Sequence, residues 1–362
     1  MFGHVPHILW CDDKQMRSAL YYPHTTVSST QLLKTSLLLW DNLYVIVPWP
    51  HYQPRYRTRE AADAFTVIGK CHYPSADEKA HAHELIEDFV KRPLPPAFSY
   101  SLTRNRRDVY DIYPEKLLPK TVAMLRERGM SEQGGRRNLR APIATGLTLM
   151  NIVADCCAGT TLARVTDKRA AYANLAGLLV EKPTAELAVD QAREQLVPIM
   201  IRTIDVKPFS LKRLVDFRKR EESSPDGSLL RALRHRLLDK VEEQAKRLST
   251  AESELARVAI RREFEANMQD DYRDLRDALK AKATQTLATK ELITAAITGV
   301  GSIAAAVVTP AFPVAATVSG VQGVVSIGGL VALKSKWVEE RRKVLKEHAT
   351  AYLYEASGKL RL

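Results

Sequence analysis

Apolar and polar positions follow three different rhythms along this chain. Short β-rich apolar runs come first. RSALYYP (Arg17–Pro23) and NLYVIVP (Asn42–Pro48) predict buried strands. Between them VSSTQLLKTSLLLWD predicts a helix, with Ser28 as N-cap and Gln31 closing a capping box. A β-α-β order of this kind implies a parallel pair. Pro48, Pro50 and Pro54 end it in a loop holding RYRTR. PSADEKAHAHELIEDFVKR predicts a second helix, capped by Ser75 with Glu78, and PEKLLPKTVAMLRERG a third that stops at Gly129. SEQGGRRNLR (Ser131–Arg140) reads as a polar loop and Ala141–Gly159 as a buried helix. TLARVTDKRAAYANLAGLL follows as a short strand, a turn at Thr166–Asp167 and a helix, and Val197–Val206 as a further strand.

After Pro208 the helical rhythm takes over. SLKRLVDFRKREES is helical and SSPDGS a turn. Leu230, Leu233, Leu237, Val241, Ala245 and Leu248 recur at three- and four-residue steps, as one apolar helix face requires. Ser249 and Glu252 form a capping box, so a new helix is expected there, carrying Ile260, Phe264, Met268, Tyr272, Leu275 and Leu279 to about Lys290. The expected fold is mixed, α+β: a small α/β domain over 1–207, then an all-α domain over 208–362 with long amphipathic helices.

The third rhythm is a run of 42 residues, Leu292–Leu333, without Lys, Arg, Asp or Glu. Pro310 and Pro313 divide it into segments of 18 and 20 residues, Leu292–Thr309 and Val314–Leu333. Each as a helix is about 27–30 Å long, the thickness of a bilayer core. Leu292, Ile303, Val324, Ile327 and Leu333 mark its apolar positions, and its many small residues allow close helix approach. The predicted element is an antiparallel helical hairpin turning at Thr309–Pro313. Lys290 precedes it and Lys334, Lys336, Arg341, Arg342 and Lys343 follow, so both ends are expected on the cytoplasmic side. Ala, Gly, Ser and Thr dominate over Leu and Phe, which equally suits a hairpin wrapped by the amphipathic helices at 228–290 and 335–357.

Charge sharpens this picture. With 54 basic against 42 acidic residues the formal net charge is +12, which favours an anionic partner. The expected partners are an anionic membrane surface, a protein or second copy bound through the long helices as in a coiled coil, or nucleic acid. Arg55, Arg57, Arg59, Arg104, Arg106, Arg107, Arg136, Arg137 and Arg140 are the candidate phosphate contacts, with Tyr52 and Tyr56 as stacking rings. Four cysteines (Cys11, Cys71, Cys156, Cys157) point to a reducing compartment, and no basic leader with a long apolar run opens the chain. The expected location is the cytoplasm, with peripheral or conditional insertion in the inner membrane.

LYYP, then Lys34, then LLLWDNLYVIVP resembles the opening of a bacterial domain family of unknown function, and VDFRKR (Val215–Arg220) fits the same family. That resemblance implies a bacterial cytosolic origin and no particular activity; such families occur in phage-defence and toxin settings. The long helices followed by a weakly apolar hairpin, about 228–357, resemble the plan of α-helical pore-forming toxins. NIVADCCAGTTLARVTDKRAAYANL resembles the late segment of PIN-type ribonucleases, which would make Asp155 and Asp167 catalytic metal-binding carboxylates. SALYYP lacks the first-strand Asp that such an enzyme uses.

Cys71, His72, His81 and His83 are metal-type residues, but His81 and His83 are two apart on a helix and face different ways. No metal site and no cofactor is expected. No dinucleotide fingerprint, Walker loop, HExxH or Gly-x-Ser-x-Gly occurs. The leading expectation is a non-enzymatic, membrane-associating protein of defence or toxin type. The alternatives are a metal-dependent nuclease and a soluble helical scaffold.

Overall fold

The computed structural model describes residues 16–100, 109–134, 138–168, 171–172, 210–287 and 327–357. The fold is mixed α/β, with the sheets in the N-terminal part and helices in the C-terminal part. Two compact units are interleaved along the chain. One comprises Met1–Val27, Trp40–Arg55 and Ile68–Thr166; the other comprises Ser28–Leu39, Tyr56–Val67 and Asp167–Leu362. The expected boundary at 207–208 falls outside the described residues.

The first unit is built on a parallel sheet. Strands β1 (Ser18–Tyr22) and β2 (Asn42–Ile46) pair in parallel, as the β-α-β order predicts. Strand β3 (Gly69–His72) extends the β2 edge and β7 (Ala163–Thr166) the β1 edge, both in parallel. All five residues of β1 are buried, because strands lie on both its sides and the sheet's faces are covered. Strand β3 had no sequence signature. GKCH lacks an apolar run, and as an edge strand its Lys70 and Cys71 are exposed.

A second, antiparallel sheet has the order β4 (Val109–Ile112), β6 (Asn138–Pro142), β5 (Glu132–Gly134). The polar stretch Ser131–Arg140 is therefore largely strand and not loop. Leu139 and Ala141 point inward while Asn138 and Arg140 are only half-buried, a period-two pattern too short to stand out among the charges. Helix α3 (Ala76–Lys91) begins as predicted, with Ser75 and Glu78 forming a capping box. Helix α4 (Pro119–Glu127) precedes Gly129, whose φ of 65° is the left-handed turn expected of a helix-ending glycine. Helix α5 (Ile143–Ala158) packs on α3, β1 and β4. Gly146 is required there: a Cβ at this position would stand 2.6 Å from the Cβ and ring of Tyr110.

The second unit is helical: α1 (Thr30–Leu39), α2 (Arg59–Ile68, whose last residue belongs to the sheet unit), α6 (Leu211–Ser223), α7 (Gly227–Ser249), α8 (Glu254–Leu287), α9 (Ile327–Glu347) and α10 (Ala351–Ser357). Its caps correct two readings. Ser29, not Ser28, starts α1, its hydroxyl accepting the Leu32 N–H at 3.1 Å. Ser28 donates instead to Asp167. Ser253, not Ser249, starts α8 by accepting the Ala256 N–H, while the Ser249 hydroxyl turns back to the Lys246 carbonyl. In both cases two hydroxyls stood near the boundary, and the one adjoining the first helical residue took the free N–H.

The predicted faces hold. Leu230, Leu233, Leu237, Val241, Ala245 and Leu248 are all buried on α7, and Phe264, Met268, Leu275 and Leu279 on α8. Arg247 clamps α7 to α8 through both oxygens of Glu263, at 2.9 and 2.8 Å. Helices α8 and α9 pack against each other antiparallel: Lys282 meets Glu340 at 3.2 Å, and eleven residues earlier Asp271 meets His348 at 3.0 Å. Asp271 also accepts the N–H and hydroxyl of Thr350, capping α10. The expected helix over 335–357 is thus two helices with a corner at His348–Thr350.

Among the described residues no helix is long and apolar enough to cross a membrane. The predicted hairpin and its turn at Thr309–Pro313 lie outside those residues, except for Ile327–Leu333, which form the first turns of α9. Helix α9 continues from there into the charged sequence without a break.

Candidate functional site

One group of three potential metal ligands is found among the described residues, in the sheet unit. His72 ends β3, Glu78 lies in the first turn of α3 and Cys157 in the last turn of α5. One ligand-type atom of each lies within 4.8 Å of the other two. The His72 Nε2 is 3.1 and 3.0 Å from the two Glu78 oxygens. Glu78 is fixed from behind, since its Oε2 accepts the Ser75 N–H at 2.7 Å while its own N–H donates to the Ser75 hydroxyl. The Tyr44 ring stands edge-on to His72, with centroids 6.5 Å apart. Cys157 is buried and His72 and Glu78 are half-buried, so the cluster has a dry side and a wet side.

Burial sets the protonation states around it. Desolvation pushes the Cys157 thiol far up, and the Glu78 charge adds to this. Cys156 is raised to about 11 for the same reasons in the same order. Lys116, in a short 3-10 turn at Pro114–Lys116, is 2% exposed, and desolvation lowers its amine to about 7 against an opposing pull from Cys157. Lys116 and Lys79 are the two cations that act on the Cys157 thiol, each opposing its upward shift.

Lys116 makes stability depend on pH. Its folded pKa lies below its unfolded value of about 10.4, so between those values the unfolded chain binds the extra proton and stability rises with pH. The Cys157 thiol acts in the opposite sense above about pH 8.5. In chelator-treated protein, urea unfolding at about pH 6.5 and about pH 8.5 should show a rise of at most about 1.4 kcal/mol per pH unit. Lys116→Met should flatten it. A wild-type profile that is already flat would show the amine to be charged and solvated.

The residues singled out in the sequence have other neighbours. Asp155 forms an ion pair with Arg164 and accepts from the Asn151 amide, while Asp167 accepts from Ser28. Neither belongs to a group of three potential metal ligands among the described residues. His83 contacts the Thr121 hydroxyl at 2.9 Å, and His81 lies 3.8 Å from Glu84. Cys71 and His72 are consecutive in a strand and so point to opposite faces, and the Cys71 thiol donates to the Tyr52 carbonyl. Arg55, Arg57 and Arg59 are exposed, and Arg140 reaches Asp111 at 3.4 Å. Arg104, Arg106, Arg107, Arg136 and Arg137 lie outside the described residues. Tyr52 packs edge-on to Trp49 and Tyr113, and Tyr56 against Phe65, so both candidate stacking rings have internal ring partners.

The sequence sets His72 beside Cys71, His81 and His83, whereas in the structure its neighbours of metal-ligand type are Glu78 and Cys157. Glu78 was explained by its capping box, and Cys157 lies 85 positions beyond His72, at no ligand spacing. No protein-family model, curated protein or solved structure matches this chain.

Proposed function

We propose that this protein is a non-enzymatic membrane-associating protein whose uncharged segment Leu292–Leu333 enters the bilayer from the cytoplasmic side. The observation that carries the reading is the antiparallel packing of α8 and α9. Helix α8 ends at Leu287 and α9 begins at Ile327, so the chain leaves and rejoins this helix pair at the same end. A segment of 42 residues without charge, presented from one end of a charged helical pair, has the form of an insertion device.

The flanking cations refine the contact. Arg341 pairs with Glu355, Arg342 with Asp226 and Lys343 with Glu340, so these three are engaged on the helical unit. Lys336 is exposed, and it stands with Lys290 and Lys334 nearest the uncharged segment. Each basic residue near an anionic surface contributes about 1 kcal/mol, enough to bias orientation but not to hold the protein there without apolar insertion.

The test is flotation of the full chain with anionic vesicles and with neutral vesicles, for wild type, Val324→Asp and Ile327→Arg. A charge at mid-bilayer costs about 2.5–3.5 kcal/mol, so each variant should stay folded and lose flotation. Wild-type chain that never floats, together with variants that unfold, would place the segment in a protein core and overturn the reading.

A further inference from the structure

We infer that His72, Glu78 and Cys157 form a binding site for a zinc-type divalent cation, independent of the membrane segment. The inference starts from convergence. Two neighbouring elements, β3 and α3, and a third far along the chain, α5, bring an imidazole nitrogen, a carboxylate and a sulfur together within 4.8 Å. This N, O, S donor set suits zinc, which takes His, Asp or Glu and Cys together, whereas calcium and magnesium demand oxygen alone.

The spacing is close to what the ion needs. Ligand atoms on one tetrahedral zinc are about 3.4 Å apart, given bonds of about 2.0–2.3 Å. His72 and Glu78 already stand at 3.0–3.1 Å, so the remaining adjustment is of order an ångström at the sulfur.

The outer contacts also have the form of a metal site. A carboxylate ligand is normally held by hydrogen bonds from behind, and here the Ser75 N–H supplies one to Glu78 Oε2. The Tyr44 ring restricts His72 from the side. Three protein ligands leave a fourth coordination position, and the half-exposed side at His72 and Glu78 is where water would fill it. Binding replaces the proton on the Cys157 thiol, which leaves to solvent, and uses the lone pair of the neutral His72 Nε2, the single ring proton being carried on Nδ1. No other bond is broken.

The experiment uses the full chain, stripped with a chelator and titrated with zinc chloride alone, with metal per chain counted after dialysis. Wild type should retain one zinc, and cobalt(II) in its place should give a thiolate-to-cobalt charge-transfer absorption. Cys157→Ser should abolish that absorption. Its affinity loss, and that of Glu78→Gln, should exceed the roughly 10–100-fold that removal of an outer contact causes. Glu78→Gln keeps the capping box, since glutamine serves there too, so its loss of metal would not reflect a lost helix start. Cys71→Ser, on the opposite face of β3, should bind as wild type. Wild type that holds no zinc, or a Cys157→Ser protein that binds zinc and cobalt unchanged, would overturn the site. Neither result touches the flotation assay, so the two readings fail separately.

Discussion

Glu221→Ala should destabilise the protein by about 3–5 kcal/mol, because it strands two guanidinium groups in the helical core. Glu221, Arg234 and Arg218 are 3%, 1% and 4% exposed. Arg234 Nη2 donates to Glu221 Oε1 at 2.8 Å, the Tyr352 hydroxyl donates to Oε2 at 3.0 Å, and Arg218 Nη1 lies 3.4 Å from the same oxygen. One carboxylate thus answers two cations and a phenol from α6, α7 and α10. Desolvation raises the tyrosine to about 12, so it stays a donor across the working pH range. Removing the carboxylate takes from the two buried guanidinium groups the anion they share, where little water reaches. The second variant Glu221→Ala/Arg234→Met should recover part of the loss, since apolar side chains of similar size often replace a buried ion pair at little cost. Urea unfolding followed by circular dichroism reads both. A loss below about 1 kcal/mol for the single variant would mean that water reaches the group.

Phe264→Ala should cost a comparable amount, about 3–5 kcal/mol, by a different route. Helix α8 is 34 residues long, yet among its described side chains the buried ones form a narrow stripe: Phe264, Met268, Leu275 and Leu279, with Asp271 half-buried between them. Phe264 is fully buried and sits beside the Arg247–Glu263 clamp, at the end of α8 nearest its turn from α7. With so few anchors, the lost ring cannot be offset by neighbours sliding in, and the cavity term adds to the lost transfer energy. Replacing the exposed Asn267 by alanine is the matching control and should change little. Equal unfolding midpoints for Phe264→Ala and wild type would show that α8 does not rely on this stripe.

What could be read from residues alone was whatever repeats. The α7 and α8 faces span about eleven turns of consistent spacing, and every predicted position on α7 is buried. The β1–β2 pair was legible because both strands are short apolar runs between turn signals. Strands β3, β5 and β6 were not, since an edge strand or one-sided strand of three to five residues carries only two or three inward positions. Caps were misplaced by one residue at Ser29 and by four at Ser253, where adjacent hydroxyls compete for the same orphan N–H. The His72–Glu78–Cys157 cluster was out of reach for a deeper reason. Its members are joined by sheet topology and by the passage of α5, and no local pattern encodes either. Glu78 satisfied a local rule so well that nothing called for a second role.

The interleaving of the two units bears on how the chain is made. The sheet unit is complete once Thr166 has been synthesised, and its central strand β1 gains its β7 neighbour only then. The helical unit contains residues from Ser28–Leu39 and Tyr56–Val67 but its last helix ends at Ser357. Helix α1 therefore leaves the ribosome some two hundred residues before its partners α6 and α7 are complete. During that interval Leu32, Leu33, Leu37, Leu38 and Leu39, all buried in the finished protein, have no completed α6–α7 platform to cover them. A nascent chain paused between these points presents a leucine-rich surface, the kind of exposed apolar surface that chaperones shield. Genetic fusion of a second protein at residue 167 would divide the helical unit rather than separate two modules, and circular relocation of the termini meets the same obstacle.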